Sequence, residues 1–355
     1  MSLPSHMKAA VWYGPNDVRV ETRPVPAVIP GSVLVEVMAC AVCGSDLRIF
    51  REGNPRITVP RIIGHEIAGV VAEVGSGVTR FKTGDRVSIG ADIPCGKCVH
   101  CLSGRANCCD TNLAIGYQFD GGYADYVRLD PIVVELGPVH LFSQDVTYDA
   151  AALAEPLACC LNGYERALFR PGNTVAIFGA GPIGLMLAML GQYSGAGGVI
   201  VVEPSTYRRR KAEEAGASLV IDPRSEDPVA RILEFTHGNG ADTIFTACPV
   251  AETHEQAVQV VAKRGVINFF GGLPKAAPPI RILSNLIHYR EAYITGSHGS
   301  TPAQHQQALE IISSGQIDAA RMISHGIDLA DVVKGFNLAG SGETMKVVVH
   351  PNKRT

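Results

Sequence analysis

The stretch Thr174–Glu203 reads TVAIFGAGPIGLMLAMLGQYSGAGGVIVVE and decides the fold of the second half of the chain. An apolar run, Thr174–Phe178, leads into a glycine-rich turn. Helix formers follow, and a second apolar run, Val199–Val202, ends the stretch before Glu203. Strand, helix and strand in this order form a βαβ unit, and the G-x-G-x-x-G turn after its first strand is the dinucleotide-binding fingerprint.

Each part of this turn has a physical role. The first glycine permits a tight turn, the second lets the backbone approach a pyrophosphate, and the third lets helix and strand pack closely. Backbone N–H groups at the helix start would face the phosphates. Glu203 lies at the end of the second strand, where it would accept hydrogen bonds from an adenosine ribose. The candidate residues are Gly179, Gly181, Pro182, Ile183, Gly184 and Glu203.

Two other interpretations of the stretch are weaker. No charged residue occurs between Arg170 and Glu203, which suggests a membrane helix. However, Gly, Pro and Gln interrupt the run, whereas a span needs about 20 predominantly apolar residues in one helix. Buried strands of a parallel sheet also read as short apolar runs. A fold that binds nothing would not need the glycines and the acid together.

Composition indicates a soluble globular protein of two domains. The chain has 355 residues, 46% of them hydrophobic and 18% charged, with a net charge of −3. This balance gives no reason to expect binding to nucleic acid or to a membrane surface. No apolar signal segment is visible, so we expect a cytoplasmic protein. Residues 1–6 precede Met7-Lys8 and are interpreted as a non-native leader.

The pattern of elements changes near Asp145. Before residue 140 the chain shows short alternating runs and almost no helix periodicity, which predicts a mainly β, barrel-like region. Afterwards, strands alternate with helices and predict a doubly wound sheet of six parallel strands. The predicted strands are Thr174–Phe178, Val199–Val202, Leu219–Ile221, Thr243–Thr246, Val266–Phe270 and Ala292–Gly296.

Five of the ten cysteines lie on one short stretch, as Cys95, Cys98, Cys101, Cys108 and Cys109. Four thiolates on one loop suit tetrahedral Zn²⁺, and a site with four cysteine ligands is closed and therefore structural. Free thiols and a disulfide are the alternatives, and clustering in a cytosolic-looking chain favours metal. The spacing alone leaves open whether Cys108 or Cys109 is the fourth ligand.

A second group, Cys43, His65, Glu66 and Glu155, is widely spread along the chain. Cys, His and carboxylate ligands with an open position would make a catalytic zinc site. Taken one at a time, each has a simpler interpretation: a core thiol, a turn histidine and two solvated acids. Spacing cannot show that they meet.

A family resemblance connects these motifs. From Met7 to His350 the chain resembles a zinc-dependent medium-chain dehydrogenase/reductase of the alcohol dehydrogenase superfamily, above all the sorbitol (polyol) and threonine dehydrogenase branch. The motifs occur in the family's order: Cys43-Gly44-Ser45-Asp46, Gly64-His65-Glu66, the Cys95–Cys109 spacing, Gly121-Gly122-Tyr123-Ala124-Asp125-Tyr126, Glu155-Pro156-Leu157 and Gly179–Gly184.

The resemblance implies two domains and two zinc ions per chain. A GroES-like catalytic domain would comprise residues 7–160 and 300–355, and a Rossmann NAD-binding domain residues 161–299. Cys43 and His65 would hold the catalytic zinc with Glu66 and Glu155, the latter standing where alcohol dehydrogenases carry a second cysteine. The structural zinc would be held by Cys95, Cys98, Cys101 and Cys109.

The implied reaction transfers a hydride from a secondary alcohol or polyol to NAD and gives the ketone. Zinc would lower the pKa of the alcohol, and Ser45 would relay its proton. Arg48 stands where many relatives carry a relay histidine, and a guanidinium cannot shuttle a proton. Residues 296–301 lack the arginine that typical sorbitol dehydrogenases use on polyol hydroxyls, so a threonine-type or other secondary alcohol dehydrogenase is the alternative.

Glu203 predicts NAD rather than NADP, because a carboxylate repels a 2′-phosphate. The arginines Arg208, Arg209 and Arg210 act against this preference, although Arg208 matches an adenosine-side arginine of NAD-using relatives. By resemblance, the nicotinamide half would meet Gly271, Leu273, Ser297 and His298.

Other classes fit less well. Zinc-free reductases of the superfamily lack the cysteine-rich lobe, and a non-enzymatic structural protein would need neither metal set nor fingerprint. The expected partner is a small-molecule substrate. The sixth strand would lie at a sheet edge that a second copy can pair, so we expect a homo-oligomer, either dimer or tetramer.

Overall fold

The computed structural model describes residues 3–352, which fall into two compact units. Residues 3–158 together with residues 299–352 form one unit, and Cys159–His298 form the other. We call them the catalytic unit and the Rossmann unit. Of the expected leader, Met1 and Ser2 lie outside the described residues, whereas His6 already pairs with Pro24 in a sheet. No helix within residues 3–352 is both long and apolar enough to cross a membrane.

The first part of the catalytic unit consists mainly of short strands, as the alternating runs predict. In chain order its elements are β1 (His6–Gly14), β2 (Asp17–Pro24), β3 (Val33–Ala41), α1 (Gly44–Glu52), β4 (Arg61–Ile62), β5 (Glu66–Val74), β6 (Arg86–Ile89), β7 (Asp92–Ile93), α2 (Val99–Leu102), β8 (Leu113–Ala114), β9 (Tyr126–Leu129), α3 (Pro131–Leu136), β10 (Val139–Leu141) and α4 (Tyr148–Ala152).

Helix α1 corrects the expectation that helices are almost absent before residue 140. It is nine residues long, and its N-terminus is capped by Asp46, whose carboxylate accepts a 3.0 Å hydrogen bond from the backbone N–H of Cys43. It buries Ile49 and Phe50 in the core and packs Leu47 against it. A period of 3.6 residues is hard to recognise over so few turns.

The Rossmann unit follows the predicted alternation. Its elements are α5 (Ala154–Arg166, which begins in the catalytic unit), β11 (Thr174–Phe178), α6 (Pro182–Tyr193), β12 (Gly198–Val202), α7 (Thr206–Glu214), β13 (Leu219–Ile221), α8 (Pro228–Phe235), β14 (Ala241–Thr246), α9 (Ala251–Gln259), β15 (Val261–Phe269), α10 (Ser284–Arg290) and β16 (Tyr293–Gly296).

The six strands of this unit form one parallel sheet in the order β13-β12-β11-β14-β15-β16, which confirms the doubly wound prediction. The central strands β11, β12 and β14 are buried because helices pack on the sheet. Ala176, Phe178 and Ile200 are buried at its centre. The carboxyl ends of β11, β14 and β15 therefore meet at one edge, where ligands bind in this class of fold.

The last part of the chain returns to the catalytic unit. It contains α11 (Pro302–Ser313), β17 (Ile323–Asp328), α12 (Val332–Gly340) and β18 (Lys346–His350). Strand β18 pairs antiparallel with β3 and parallel with β17 inside the sheet β10-β6-β5-β3-β18-β17. The first residue of β18, Lys346, is thereby brought beside the amino end of β5.

Two stacked histidines join α11 to the barrel. The rings of His140 and His305 lie 5.3 Å apart, and Ser88 Oγ lies 3.4 Å from His305 Nε2. Burial, followed by the proximity of His140, lowers the pKa of His305 to about 3. The folded protein therefore keeps His305 neutral at pH values where an unfolded chain would protonate it.

We expect this histidine to make the catalytic unit acid-sensitive. Between pH 6.5 and about 3 the unfolded state binds more protons at His305 than the folded state does, so stability falls as the pH falls, by at most about 1.4 kcal/mol per pH unit. His305→Gln should lose this contribution. Urea unfolding at several pH values, followed by the fluorescence of the single tryptophan, Trp12, measures it. The exposed His325→Gln is the control, and parallel pH profiles for wild type and His305→Gln would contradict the prediction.

Candidate active site

The cysteine-rich loop brings four sulfur atoms together. The Sγ atoms of Cys95, Cys98, Cys101 and Cys109 all lie within 4.8 Å of one another. Cys98 Sγ and Cys101 Sγ are 3.5 Å apart, and all four cysteines are free thiols. Hydrogen bonds from backbone N–H groups lower the pKa values of Cys95 and Cys98, which favours thiolates. Cys108 is exposed and lies outside the group.

Sheet register brings Cys43 and His65 together. Strand β3 ends at Ala41, which is paired with Glu66 at the start of β5, so the residues just after β3 lie beside the residues just before β5. Ligand atoms of Cys43, His65 and Glu66 consequently fall within 4.8 Å of one another. His65 and Glu66 are buried, and Cys43 is half-buried.

Asp46 and Tyr123 orient the imidazole of His65. His65 Nδ1 lies 3.3 Å from Asp46 Oδ1, while Asp46 Oδ2 accepts hydrogen bonds from the Tyr123 hydroxyl at 2.8 Å and from the Cys43 N–H. A carboxylate on Nδ1 leaves Nε2 free to bind a metal. Burial acts to lower the pKa of His65, but Asp46 and Cys43 outweigh it and raise this pKa well above its usual value.

Lys346 forms a buried ion pair with Glu66. Its ammonium group contacts both carboxylate oxygens and also donates a 3.2 Å hydrogen bond to the carbonyl of Val42. Both side chains are almost completely inaccessible to solvent, at 3% and 0% exposure. Sequence reasoning assigned no role to Lys346, Asp46 or Tyr123. For Lys346, the sequence did offer one signal, a charged residue at the start of the apolar run KVVVH.

Glu155 lies in the first turn of α5 and is buried, but it does not belong to the group of ligand atoms within 4.8 Å. Its electrostatic neighbours are nevertheless the same residues. Burial, with Glu66 and Asp92 acting in the same direction, raises the pKa of Glu155 to about 7, while His65 and Lys346 oppose the rise. Glu155 thus interacts electrostatically with His65 and Glu66 without completing the cluster that these two form with Cys43.

Ser45 and Arg48 project from α1 with different exposure. Ser45 Oγ lies 3.4 Å from His65 Nε2, which places its hydroxyl at the metal-binding face of the imidazole. Arg48 is exposed. The residue at the position of the missing relay histidine is therefore a solvent-facing charge.

The predicted dinucleotide loop has the shape that a phosphate requires. A Cβ at Gly184 would lie 1.8 Å from the carbonyl oxygen of Gly179, so only glycine allows this contact. A Cβ at Gly181 would meet only the guanidinium of Arg208, at 3.7 Å from Nη1, so the backbone there is open to a ligand. Pro182 and Ile183 begin α6, whose positive end faces the same loop.

Glu203 is buried and already holds the loop. Its Oε2 accepts a 2.7 Å hydrogen bond from the N–H of Ala180, and its Oε1 accepts one of 2.8 Å from the N–H of Ser205. Carboxylate oxygens have further lone pairs, so a ribose hydroxyl remains a compatible donor. Arg209 pairs with Asp222 at 3.0 Å, as does Arg224 at 2.9 Å.

The residues expected near the nicotinamide follow β15 and β16. Gly271 donates a 2.6 Å hydrogen bond to the carbonyl of Thr246, and Leu273 is half-buried. Ser297 Oγ donates to Asn268 Oδ1 at 3.0 Å, and the His298 carbonyl accepts from Asn162 at 3.3 Å. These residues lie at the carboxyl ends of parallel strands, as does the glycine loop.

Comparison with known proteins identifies the family. The family model described as "Alcohol dehydrogenase GroES-like domain" matches residues 29–137, and that described as "Zinc-binding dehydrogenase" matches residues 182–314. The chain is 31% identical to sorbitol dehydrogenase of Bacillus subtilis (strain 168), with 99% of each chain covered. It is 33% identical to L-threonine 3-dehydrogenase of Thermococcus kodakarensis, over 98% of this chain and 97% of the relative.

Solved structures of dehydrogenases share the fold of this chain. A zinc-binding dehydrogenase from Sinorhizobium meliloti 1021, bound to NADP, superposes with a TM-score of 0.92 at 33% identity and covers 98% of this chain and 100% of its own. The 2R,3R-butanediol dehydrogenase from Bacillus subtilis gives a TM-score of 0.89 at 31% identity, with 98% and 100% covered.

The chain belongs to the zinc-type medium-chain dehydrogenase superfamily, with a GroES-like and a Rossmann-type domain. Its family is that of the zinc-dependent alcohol, polyol and threonine dehydrogenases, which are oxidoreductases acting on small-molecule alcohols.

Proposed function

We propose that this protein oxidises a secondary alcohol or polyol to the ketone, with zinc as Lewis acid and NAD as hydride acceptor. The observation that carries the proposal is the buried cluster of Cys43, His65 and Glu66 with the Ser45 hydroxyl beside it. The same chain presents a glycine loop open to a dinucleotide phosphate. A hydride acceptor site and a metal site with an adjacent hydroxyl are the parts that this chemistry requires.

The charge of the buried groups suits a divalent cation. Three acids, Asp46, Glu66 and Glu155, are buried near His65, and Lys346 is the buried cation among them. Thiolate, imidazole and carboxylate groups are the ligands that Zn²⁺ takes in proteins, so the clustered donors of Cys43, His65 and Glu66 fit a bound zinc ion. Cys43 and His65 would be direct ligands, while Glu66 and Glu155 would ligate or remain close by. Bound there, zinc would lower the pKa of an alcohol hydroxyl.

The side chains around the cluster have separate tasks in this proposal. Asp46 keeps His65 oriented through Nδ1, and Ser45 accepts the proton that leaves the substrate hydroxyl. Arg48 takes no part, because it is exposed and a guanidinium has no lone pair to accept a proton.

NAD is the proposed cofactor. The carboxylate of Glu203 is buried and fixed by two backbone N–H groups beside the glycine loop, where it would repel a 2′-phosphate. Arg209 and Arg224 both pair with Asp222, which reduces their pull on an added phosphate. We expect a higher kcat/KM with NAD⁺ than with NADP⁺. The opposite ranking would give the selecting role to Arg208 rather than to Glu203.

The substrate class is tested with a panel of alcohols. Residues 296–301 contain no arginine, so we expect small secondary alcohols and diols to be preferred over sorbitol. The similarity to L-threonine 3-dehydrogenase makes L-threonine the second candidate substrate. Initial rates of NADH formation with zinc-replete enzyme rank these compounds. Absence of oxidation across the panel, together with absence of NADH binding, would favour a non-enzymatic protein.

The cysteine-rich loop is the proposed structural zinc site, and adjacent residues allow a matched test. Cys109→Ser removes one of the four clustered sulfurs and should lower bound zinc from two ions to one per chain. Cys108→Ser changes an exposed thiol outside the cluster and should leave both ions. Metal analysis of the purified proteins measures the ratio. Equal zinc contents in the two variants would show that Cys109 is not a ligand.

We also propose that the Rossmann unit pairs with a second copy. Strand β16 is the edge of its sheet, and Tyr289, Tyr293 and Ile294 are exposed on or next to it. Unpaired strand edges with apolar neighbours favour association. Light scattering should give a mass of at least two chains, and a monomer at micromolar concentration would contradict this proposal.

A further inference from the structure

Asn268 places a polar amide inside the Rossmann unit. It is the last residue but one of β15, is 0% exposed, and lies between the apolar residues Ile267 and Phe269. Its Nδ2 donates a 3.0 Å hydrogen bond to the Gly163 carbonyl of α5, and its Oδ1 accepts one of 3.0 Å from Ser297 Oγ. A buried amide is costly unless it is hydrogen-bonded. The side chain therefore bridges α5 and the residue that follows β16.

Gly163 allows the end of β15 to come this close to α5. A Cβ at Gly163 would lie 2.9 Å from Cε2 of the Phe270 ring, closer than a side chain can approach. The Gly163 carbonyl also accepts the intrahelical hydrogen bond from the N–H of Ala167 at 2.9 Å. A carbonyl oxygen has two lone pairs, so the helix stays intact where Asn268 binds it.

A second hydrogen bond from α5 reaches the same segment of chain. Asn162, the residue before Gly163, is 4% exposed and donates a 3.3 Å hydrogen bond to the His298 carbonyl. Ser297 and His298 follow β16, the strand at the edge of the sheet. An edge strand is paired on one side only, so side-chain bonds to α5 give these residues an order that the sheet alone would not.

The order of the strands indicates which half of a dinucleotide this segment would meet. Strands β12 and β13 lie on one side of β11, and β14, β15 and β16 lie on the other, so a ligand crevice opens at the carboxyl ends beside β11. The glycine loop follows β11, and Glu203, the proposed ribose acceptor, follows β12. The other half of a dinucleotide on that loop would extend toward the ends of β14, β15 and β16, the last of which leads into Ser297.

We propose that Asn268 is a positioning residue for the nicotinamide half of the cofactor and acts through Ser297, an inference that rests on the proposed function. By binding both Ser297 Oγ and α5, the amide fixes the segment after β16 before the cofactor arrives. The nicotinamide half then meets a preformed surface, and less conformational entropy is lost on binding. The adenosine half is bound by residues after β11 and β12 and does not depend on Asn268.

Asn268→Leu tests the inference, because it removes both hydrogen bonds and keeps a similar side-chain volume. The two probes are NADH and ADP-ribose, which lacks the nicotinamide. We expect the Kd of NADH to rise about tenfold, as the loss of a buried hydrogen bond allows, and that of ADP-ribose to stay within about twofold. Fluorescence titration measures NADH binding, and calorimetry measures ADP-ribose binding. Thr243→Val, a buried change in the neighbouring strand β14 away from its carboxyl end, should alter neither affinity.

Ser297→Ala provides a second variant that does not alter the core, because Ser297 is half-buried. It should weaken NADH binding by a factor similar to that of Asn268→Leu. If Asn268 acts through this hydroxyl, the double variant should bind NADH no more weakly than Asn268→Leu alone. Additive losses would mean that the two side chains act independently, and they would overturn the assigned route through Ser297.

The remaining outcomes separate the inference from the proposed function. Unchanged NADH binding in Asn268→Leu, or an equal loss for NADH and ADP-ribose, would overturn the inference alone. A wild-type protein that binds neither probe would overturn the proposed cofactor and the inference with it. A wild-type protein that binds both probes but oxidises no alcohol would overturn the proposed reaction, and the selective loss of NADH binding would still support the role of Asn268.

Discussion

Replacing Lys346 by methionine is expected to lower the free energy of unfolding of the catalytic unit by about 3–5 kcal/mol, because it leaves a buried carboxylate without its partner. Lys346 is 3% exposed and contacts both oxygens of Glu66, which is 0% exposed. Burial acts to lower the pKa of Lys346, yet Glu66 outweighs it and raises this pKa, so the pair is charged. Urea unfolding followed by Trp12 fluorescence reports on this unit.

Two further variants test the physical cause. The exposed Lys334→Met removes a lysine from the same unit and should leave the transition almost unchanged. The double variant Lys346→Met with Glu66→Gln should recover much of the loss, because a neutral amide costs less to bury than an unpaired carboxylate. If the double variant is as unstable as Lys346→Met alone, packing rather than charge carries the effect.

Ser45→Ala is expected to lower kcat by about 10²–10⁴-fold, the range that a positioned proton acceptor contributes. Its hydroxyl lies 3.4 Å from the Nε2 atom of His65, within reach of an alcohol bound at the proposed metal site. The proposed cofactor site is formed by other residues, so NADH affinity should not change. Steady-state kinetics and a fluorescence titration with NADH measure the two quantities on the same sample.

Two other serine substitutions serve as controls for Ser45→Ala. Ser45→Thr retains the proton acceptor and should keep most of the turnover. Ser314→Ala removes an exposed hydroxyl at the end of α11 and should keep all of it. Turnover of Ser45→Ala within twofold of wild type would exclude Ser45 from the proton path.

Local patterns were sufficient to predict the Rossmann unit. Each buried parallel strand is a short apolar run, and the turn after β11 carries glycines that the βαβ geometry needs. The signal for these elements lies within a few residues, so the six strands could be read in order. The short helix α1 was not predicted because three apolar residues over nine positions do not establish a helical period.

The grouping of Cys43, His65 and Glu66 could be predicted only through family resemblance, because its members meet through the register of distant strands. Cys43 and His65 come together because Ala41 pairs with Glu66 in the sheet. The local sequence of the two segments does not predict that pairing. The partners of these residues are even farther away in sequence. Tyr123 donates a hydrogen bond to Asp46, 77 residues away, and Lys346 pairs with Glu66, 280 residues away. Such partners follow from sheet topology rather than from local sequence.

Glu203 illustrates a role that sequence reasoning described incompletely. Its position after β12 predicts an acceptor for a ribose, and that remains a prediction. The structure adds that both carboxylate oxygens hold backbone N–H groups, one of them in the glycine loop. A change at Glu203 would therefore disturb the shape of the loop as well as the preference for a cofactor.

The pairing of Glu66 with Lys346 also sets an order of events during synthesis on the ribosome. The Rossmann unit lies between the two residues in the chain, so all of it must be translated before the lysine exists. Until then a nascent chain cannot bury Glu66 next to its partner, and β3 lacks its neighbour β18. The intervening unit is complete before Lys346 is made, and domains generally fold as units in the order of synthesis. The catalytic centre would then mature last, on a chain that already holds a folded nucleotide-binding unit.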